Sequence, residues 1–255
     1  MKKIIGLLFA ALSFTAFAAG IDPEASALLD KMEKTYDPLD KSKTVKTKTV
    51  EIEMAMEAQD MKMNLTQYFK IPLMLKVKIE IPGIMETETG FDGVKAWDFS
   101  KAGGVRELTG KELSSMKFGA VMESPSMKLQ NICSEIKLDK NGGDVDGVPC
   151  VKMVCTPKPE YNAPAFTVWV SPKDCLLRKM EMISVTQMGE IPSTTIFRNF
   201  KKCWDILIPY EQEITQLNMK MKTTVKSIEF NKEISDDEFK MPAPAAAWSP
   251  NAKKE

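Results

Sequence analysis

Apolar and polar side chains alternate with a period of two residues early in this chain, and this pattern constrains the fold more than any other feature. Over 50–57 valine, isoleucine and methionine alternate with glutamate, and similar alternation recurs over 61–69 and 73–81. Side chains two positions apart lie on one face of a β-strand, whereas a helical face recurs every 3.6 residues. The pattern therefore predicts consecutive strands with one apolar face and one polar face.

Turn signals divide the rest of the chain into further strands. Asp92-Gly93 predicts a hairpin in which both residues occupy the central positions of a type I′ turn, where φ is positive. Further strands are predicted over 84–91, 95–99, 132–138, 148–156, 164–171, 175–185 and 193–202, with a final pair across 206–230. The total of about eleven strands indicates a mainly β fold of the α+β class.

Two longer segments show helical periodicity, 24–36 and 109–122. The first follows Asp22-Pro23, a typical helix start. The second begins with Thr109 and Glu112 at the spacing of a capping box, in which the two residues cap each other's backbone N–H groups. We therefore predict two helices beside the strands.

The N-terminus has the three parts of a secretory signal peptide. A basic start at Met1-Lys2-Lys3 precedes an apolar stretch over 4–11 and the small residues Ala16 and Ala18. The apolar stretch is shorter than the ~20 residues of a membrane-spanning helix, so cleavage after Ala18 is predicted to remove 1–18. No cysteine near this site is available for lipidation. The mature protein is therefore predicted to be exported, either periplasmic or secreted, and not lipidated.

The remainder of the chain is predicted to form one domain with a short tail. Residues 40–241 contain no linker-like stretch and no repeat of fixed period, so 19–241 is predicted to be a single domain. Residues 242–255 are rich in alanine and proline and are predicted to be disordered.

Composition excludes several classes of function. The sequence has no histidine, which excludes Ser-His-Asp and Cys-His catalysis and histidine-ligated metals. Basic and acidic side chains are equal in number, 35 of each, so no basic excess is available to neutralise nucleic-acid phosphates. We expect a non-enzymatic protein that binds neither a cofactor nor a metal nor a nucleic acid. A histidine-free hydrolase is the third alternative, and a pocket with convergent carboxylates would indicate it.

Two further features have ordinary structural explanations. The Asp-rich and Gly-rich loop 139–147 lacks the ligand spacing of an EF-hand, so we interpret it as a hairpin turn. Cys150 and Cys155 are five residues apart in a predicted strand, or ~16 Å, too far for a disulfide bond. The five cysteines are interpreted as small buried hydrophobic residues, with at most one disulfide among them.

The predicted sheet is wider than the predicted helices can cover. About eleven strands at ~4.8 Å spacing make a sheet ~50 Å wide, whereas two helices cover about four strands. The rest of the apolar face is shielded in a two-layer sandwich, in a packed barrel, or in a half-barrel around an apolar cavity. The 18 methionines suit the half-barrel, because flexible thioethers repack around acyl chains, but methionine also fills ordinary cores.

Several short motifs resemble the LolA/LolB-like carriers that sort bacterial lipoproteins. The motifs are Tyr68-Phe69-Lys70-Ile71-Pro72, Phe91-Asp92-Gly93-Val94-Lys95-Ala96-Trp97, Gly147-Val148-Pro149-Cys150, Trp169-Val170-Ser171-Pro172-Lys173-Asp174 and the ending over 228–242. The hairpin that joins Asp92-Gly93 to Trp97 is the most specific of them, and a helix follows it as in the family. The resemblance covers most of 25–242.

The resemblance implies a curved, open antiparallel sheet, a half-barrel, with a helical lid over its apolar concave side. It implies that this side binds the acyl chains of lipoproteins or other lipids and shuttles them toward the outer membrane. An inner-membrane transporter and an outer-membrane receptor are the implied protein partners, and we expect a monomer. Together with the alternation pattern, the resemblance predicts these cavity and lid residues: Ile52, Met54, Met63, Leu65, Leu75, Val77, Ile79, Trp97, Leu113 and Met116.

The sequence departs from the family's pattern at one position. Family members have an arginine directly before the proline of the first motif, where it is implicated in lid closure, and this chain has Ile71 there. Lys70 is adjacent, but consecutive residues of a strand lie on opposite faces. The departure concerns the family's gating mechanism, so it favours simple lipid binding over lipoprotein delivery. A separate alternative, of another functional class, is an envelope-stress regulatory or interaction module of the same fold, which senses a lipid or a protein partner.

Overall fold

A computed structural model describes residues 20–56, 60–186 and 189–243. The predicted signal peptide and nearly all of the predicted tail lie outside these residues. The helices are α1 (Pro23–Tyr36), α2 (Gly110–Met122) and α3 (Leu129–Ile132), with short 3-10 helices at Lys41–Thr44, Pro159–Tyr161 and Asp236–Phe239. The strands are β1 (Thr47–Met56), β2 (Met61–Lys70), β3 (Met74–Ile81), β4 (Met85–Phe91), β5 (Ala96–Ser100), β6 (Gly104–Leu108), β7 (Cys133–Asp139), β8 (Asp144–Val145), β9 (Val148–Pro149), β10 (Val151–Pro157), β11 (Phe166–Val170), β12 (Leu177–Thr186), β13 (Gly189–Cys203), β14 (Ile206–Gln216) and β15 (Met219–Phe230). None of the helices in this described part is long and apolar enough to cross a membrane.

Thirteen strands form one antiparallel sheet in the order β6-β5-β4-β3-β2-β1-β15-β14-β13-β12-β11-β10-β7. β1 pairs with both β2 and β15, so the two ends of the strand series meet in the middle of the sheet. The outer strands β6 and β7 do not pair with each other, so the sheet is open. This arrangement confirms the half-barrel and excludes the closed barrel and the two-layer sandwich.

The contacts of α2 show how strongly the sheet curves. This helix contacts β4 and β5 on one wing and β12 on the other. In the strand order β4 and β12 are seven places apart, which is ~34 Å in a flat sheet, whereas 13 helical residues span ~20 Å. The two wings therefore bend toward each other around the helix.

The strand count was underestimated at short strands. β6 was missed because its sequence, GVREL, does not alternate between apolar and polar residues. Loop 139–147 is a turn, as predicted, and contains β8 and the start of a two-stranded hairpin with β9. The predicted strand 148–156 is divided into β9 and β10.

The two Asp-Gly dipeptides form different turns. Asp146 and Gly147 both have positive φ, at 52° and 77°, as a type I′ turn requires. At the other hairpin Asp92 instead pairs with Lys95, and of the central residues Gly93 and Val94 only Gly93 has positive φ. The type I′ prediction at Asp92-Gly93 was therefore wrong. The carboxylate of Asp92 accepts the N–H groups of Val94 and Lys95 at 2.8 and 2.7 Å and holds the shifted turn.

The helix starts agree with the sequence in position and differ in one detail. Asp22 caps α1 by accepting the N–H group of Glu24 at 2.8 Å. Thr109 is the N-cap residue of α2, but its side chain makes no capping hydrogen bond. The predicted capping box is absent because Glu112 binds the guanidinium of Arg106 instead, at 2.7 Å. This contact also holds the pKa of Glu112 below its ordinary value.

The five cysteines are all free thiols, and three of them are buried: Cys133, Cys150 and Cys155. Cys133 and Cys155 lie in the core cluster that α1 and α2 cover. The hydrogen bond with Cys133 and burial both raise the pKa of Cys155. The buried cysteines thus act as small apolar core residues, as the sequence suggested.

Candidate functional site: an apolar cavity under the lid

An open cavity of about 1210 Å³ lies between the concave face of the sheet and the segments that cover it. Its floor consists of β1, β2 and β3 together with β13, β14 and β15. Its cover consists of α1, the segment 37–43 and the segment 122–131. The apolar lining residues include Leu29, Met32, Val50, Ile52, Met54, Leu65, Val77, Met122, Met127, Leu129, Leu177, Phe197, Ile206, Leu207, Ile208, Ile214, Val225, Ile228 and Phe230.

Four of the predicted site residues lie together in this cavity: Ile52, Met54, Leu65 and Val77. Ile52 lies directly opposite Leu65 in the β1–β2 register, so their side chains share the concave face. The alternation over 50–57 therefore placed the apolar face of β1 on the correct side of the sheet.

Two predicted residues, Met63 and Ile79, lie beside the cavity and do not line it. Met63 is buried in a methionine-rich cluster with Met54 and Ile81, and Ile79 packs against this cluster. The cluster is at the end of β1 that is farther from α1. Its side chains pack against one another.

Three other predicted residues, Leu75, Leu113 and Met116, belong to a separate core cluster. Leu75 is buried with Phe91, and the two α2 residues pack against that pair. Helical periodicity located α2 but not its most buried large side chain, Phe118. It also did not indicate that Leu113 and Met116 pack on the β3–β5 wing and leave the cavity to other residues.

The predicted residue Trp97 lies on the other face of the sheet. Its neighbour Ala96 belongs to the concave-face cluster, so Trp97, one position along β5, faces the convex side. There its Nε1–H donates to the carbonyl oxygen of Phe239 at 3.0 Å, and both side chains are fully buried. Trp97 therefore anchors the C-terminal segment and does not line the cavity.

The two predicted lid helices contribute unequally. Leu29, Met32 and Tyr36 of α1 line the cavity, in agreement with the expected role of 24–36. From α2 only Met122, its last residue, reaches the lining. The rest of this side is covered by the segment 123–131, whose sequence has no clear helical or strand pattern.

The C-terminal end of α1 is fixed to the far wing of the sheet. The hydroxyl oxygen of Tyr36 accepts the backbone N–H of Leu177 at 3.0 Å. Its ring meets Phe200 edge to face, with centroids 6.0 Å apart. Burial raises the pKa of Tyr36, so its phenol is neutral at any physiological pH. α1 is therefore held as a cover by a neutral contact.

Sequence reasoning missed the half of the cavity floor that β14 and β15 provide. The β15 residues that line the cavity are Thr223, Val225, Ile228 and Phe230, at spacings of two, three and two. The spacing of three coincides with a β-bulge opposite Glu51 and Ile52. An extra residue in a bulge shifts the alternation, so the period-two signal disappears at this point.

Lys48 joins the floor of the cavity to its cover. Its ammonium donates to the backbone carbonyl of Glu123 at 2.9 Å and to the carboxylate of the same residue at 3.1 Å. Its side chain is 15% exposed, and the ammonium lies 6.0 Å from the ring centroid of Phe69. This contact ties β1 to the segment that follows α2.

The lining of the cavity is mainly apolar. Side chains of the lining are mainly aliphatic, aromatic or thioether, which suits a hydrocarbon. In the part of the chain that the structure describes, no three histidine, cysteine, aspartate or glutamate side chains are placed to hold a metal ion.

Comparisons with solved structures agree with this architecture. A LolA superfamily protein from Nitrosomonas europaea superposes with a TM-score of 0.55 at 15% identity, over 85% of this chain and 97% of that one. A DUF1329 family protein from Desulfovibrio piger gives a TM-score of 0.56 at 15% identity, over 84% and 96% of the two chains. The fold is LolA-like.

A further LolA-like neighbour is a domain from Vibrio parahaemolyticus assigned to outer membrane lipoprotein sorting, with a TM-score of 0.53 at 14% identity, over 83% of this chain and 95% of that domain. No protein-family model matches the sequence, and no curated protein matches it. At these identities the neighbours establish the fold, and the resemblance predicted from the short motifs is confirmed at that level.

The position of the family's arginine has no cation that faces the cavity of this LolA-like chain. Ile71 is 45% exposed in the β2–β3 connection. Lys70 donates to the carbonyl oxygen of Ile234 at 2.6 Å and pairs with Asp236, both in the C-terminal segment. The expectation that Lys70 is a poor substitute therefore agrees with its contacts.

Proposed function

We propose that this protein is a periplasmic carrier that binds acyl chains of lipoproteins or other lipids in its cavity and shuttles them toward the outer membrane. The observation that carries the proposal is the open cavity of about 1210 Å³ on the concave face of a LolA-like half-barrel. The chain resembles lipoprotein carriers in its motifs, and the predicted signal peptide supports the periplasmic location. The proposal includes no enzymatic step.

The free energy of an acyl chain in water, in a membrane and in the cavity determines how such a carrier works. Shielding a methylene group from water is worth ~0.8 kcal/mol, so a sixteen-carbon chain gains ~13 kcal/mol over exposure to water. A membrane shields the same chain equally well, so transfer between membrane and cavity is nearly balanced. Direction must then come from partners or from lid opening, and an inner-membrane transporter and an outer-membrane receptor are the partners that we propose.

The first test is the lipid content of the purified protein. Native mass spectrometry and solvent extraction should reveal bound lipid, and the purified protein should take up a fluorescent fatty acid. An empty protein that takes up no fatty acid would contradict the proposal. If pull-down then recovered one specific protein partner, the regulatory alternative would explain the fold better.

A matched pair of variants tests whether lipid binds in this cavity. Ile52→Asp places a carboxylate on the cavity floor, and uptake of the fluorescent fatty acid should fall more than tenfold, because a charge would be desolvated beside the chain. Val154→Asp makes the same kind of change at a β10 position that is 37% exposed, outside the cavity lining. Equal uptake by the two variants would place the lipid elsewhere.

A further inference from the structure

Besides Lys48 on β1 and Gln67 on β2, the floor of the cavity contains a pair of polar side chains, Gln212 and Thr223. They lie directly opposite each other on β14 and β15, and both line the cavity. Directly opposite residues have Cβ atoms ~5 Å apart, so the amide and the hydroxyl share one small area. Their outer neighbours in the register are apolar: Phe197 lies opposite Gln212, and Met54 lies opposite Thr223.

These two side chains have hydrogen-bonding capacity that the protein does not use. Within the described residues, no hydrogen bond joins the side chain of Gln212 or Thr223 to another residue. Thr223 is 6% exposed, and Gln212 is half-buried. A bound hydrocarbon would displace water from these groups and offer no hydrogen bond in return, at a cost of ~1–3 kcal/mol, so aliphatic residues here would serve a purely hydrocarbon ligand better.

The two groups are suited to a neutral acceptor. The amide nitrogen of Gln212 and the hydroxyl of Thr223 both donate hydrogen bonds, and neither is charged. The lysine on the floor of the cavity, Lys48, is already bound to Glu123. It also lies six residues before Met54 on β1, or ~20 Å from this pair. The other lysines that line the cavity, Lys34, Lys43 and Lys128, belong to its cover. In the described part of the floor, no charged residue lies opposite this pair on the neighbouring strands, so a neutral carbonyl oxygen suits the pair better than an ionised head group.

We infer that the cavity recognises ligands with a neutral acyl carbonyl, of an ester or an amide, through Gln212 and Thr223. This inference rests on the proposed function and names its ligand class. The carbonyl oxygen accepts hydrogen bonds from both side chains. The hydrocarbon extends along the apolar floor at Val50, Ile52 and Val225, under α1.

The test compares two probes of equal chain length, methyl hexadecanoate and octadecane. Each is titrated to displace a fluorescent apolar reporter, N-phenyl-1-naphthylamine, from the full-length mature protein. The measured quantity is the ratio of ester affinity to alkane affinity. Because each ratio is compared between proteins, the different solubilities of the probes in water cancel.

In the double variant Gln212→Leu, Thr223→Val this ratio should fall about tenfold, which is the loss expected for hydrogen bonds between neutral groups, while octadecane binds at least as well as before. The control Thr224→Val changes the adjacent residue, which lies outside the cavity lining, and should keep the wild-type ratio. Melting temperatures within a few degrees of the wild type confirm that the variants fold.

The possible outcomes separate the two proposals. An unchanged ratio in the double variant, with both probes still bound, overturns the carbonyl site and leaves the carrier function intact. Failure of both probes to displace the reporter from the wild-type protein contradicts the carrier function and the carbonyl site together. A tenfold loss in the control as well would mean that the effect is not specific to the cavity, which also overturns the assignment.

Discussion

At the scale of single residues, Lys48 is the clearest candidate for control of the lid. Its two hydrogen bonds to Glu123 are the contact that ties β1 to the segment after α2. Lys48→Met keeps the aliphatic stem and removes both bonds, so the segment should open more often. We expect bound lipid to transfer to acceptor vesicles about tenfold faster, since a charged hydrogen bond contributes ~1.5 kcal/mol or more. Lys48→Arg should retain the slow rate, and a Lys48→Met protein with the wild-type rate would show that the contact does not limit release.

A second residue-scale prediction concerns acid stability on the convex face. Hydrogen bonds from Lys78 and then from Lys101 lower the pKa of Glu86 from 4.5 to about 2. The folded state therefore holds this carboxylate ionised more strongly than the unfolded state does. Its stabilising contribution is complete above pH ~4.5 and is lost as the pH falls toward ~2. Glu86→Gln should flatten the fall of the melting temperature in this window, and parallel curves for the two proteins would contradict the assignment.

At the scale of elements, α2 is a structural helix more than a lid. Leu113 and Met116 pack against the cluster of Leu75 and Phe91, and only Met122 lines the cavity. Met116→Asp should therefore lower the free energy of unfolding by about 2 kcal/mol or more, because it places a charge against apolar neighbours. Uptake of a fluorescent fatty acid by the protein that remains folded should change little. If the Met116→Asp variant had normal stability but bound no lipid, α2 would instead act as part of the lid.

The elements also show where sequence reasoning succeeds and where it ends. β1, β2 and β3 were predictable because regular alternation fixes which side of a strand is apolar. β15 was not, because the bulge opposite Glu51 and Ile52 moves the alternation out of phase. Trp97 was assigned to the cavity because its hairpin resembles the family's. Its true neighbour, Phe239, is more than a hundred residues away in sequence, and no local pattern reports that contact.

At the scale of the whole molecule, the open sheet leaves an apolar surface that the protein does not fill itself. The sequence predicted such a surface, because two helices cover about four of the eleven or so strands that were expected. The observed sheet has thirteen strands, so its uncovered apolar face is larger still. The curvature that brings α2 into contact with β4 and β12 converts this uncovered face into a cavity of about 1210 Å³. A ligand that occupies the cavity therefore completes the core of the protein.

Completion of the core by a ligand predicts a coupling between lipid binding and stability. A ligand that binds only the folded state, at a hundred times its dissociation constant, stabilises that state by ~2.7 kcal/mol. For a chain of this size 1 kcal/mol raises the melting temperature by ~2–4 °C, so saturating methyl hexadecanoate should raise it by ~5–10 °C. Ile52→Asp should abolish most of this increase, and Val154→Asp should keep it. An increase of the same size in both variants would mean that the lipid stabilises a surface other than the cavity floor, because only Ile52 of the two residues lines it.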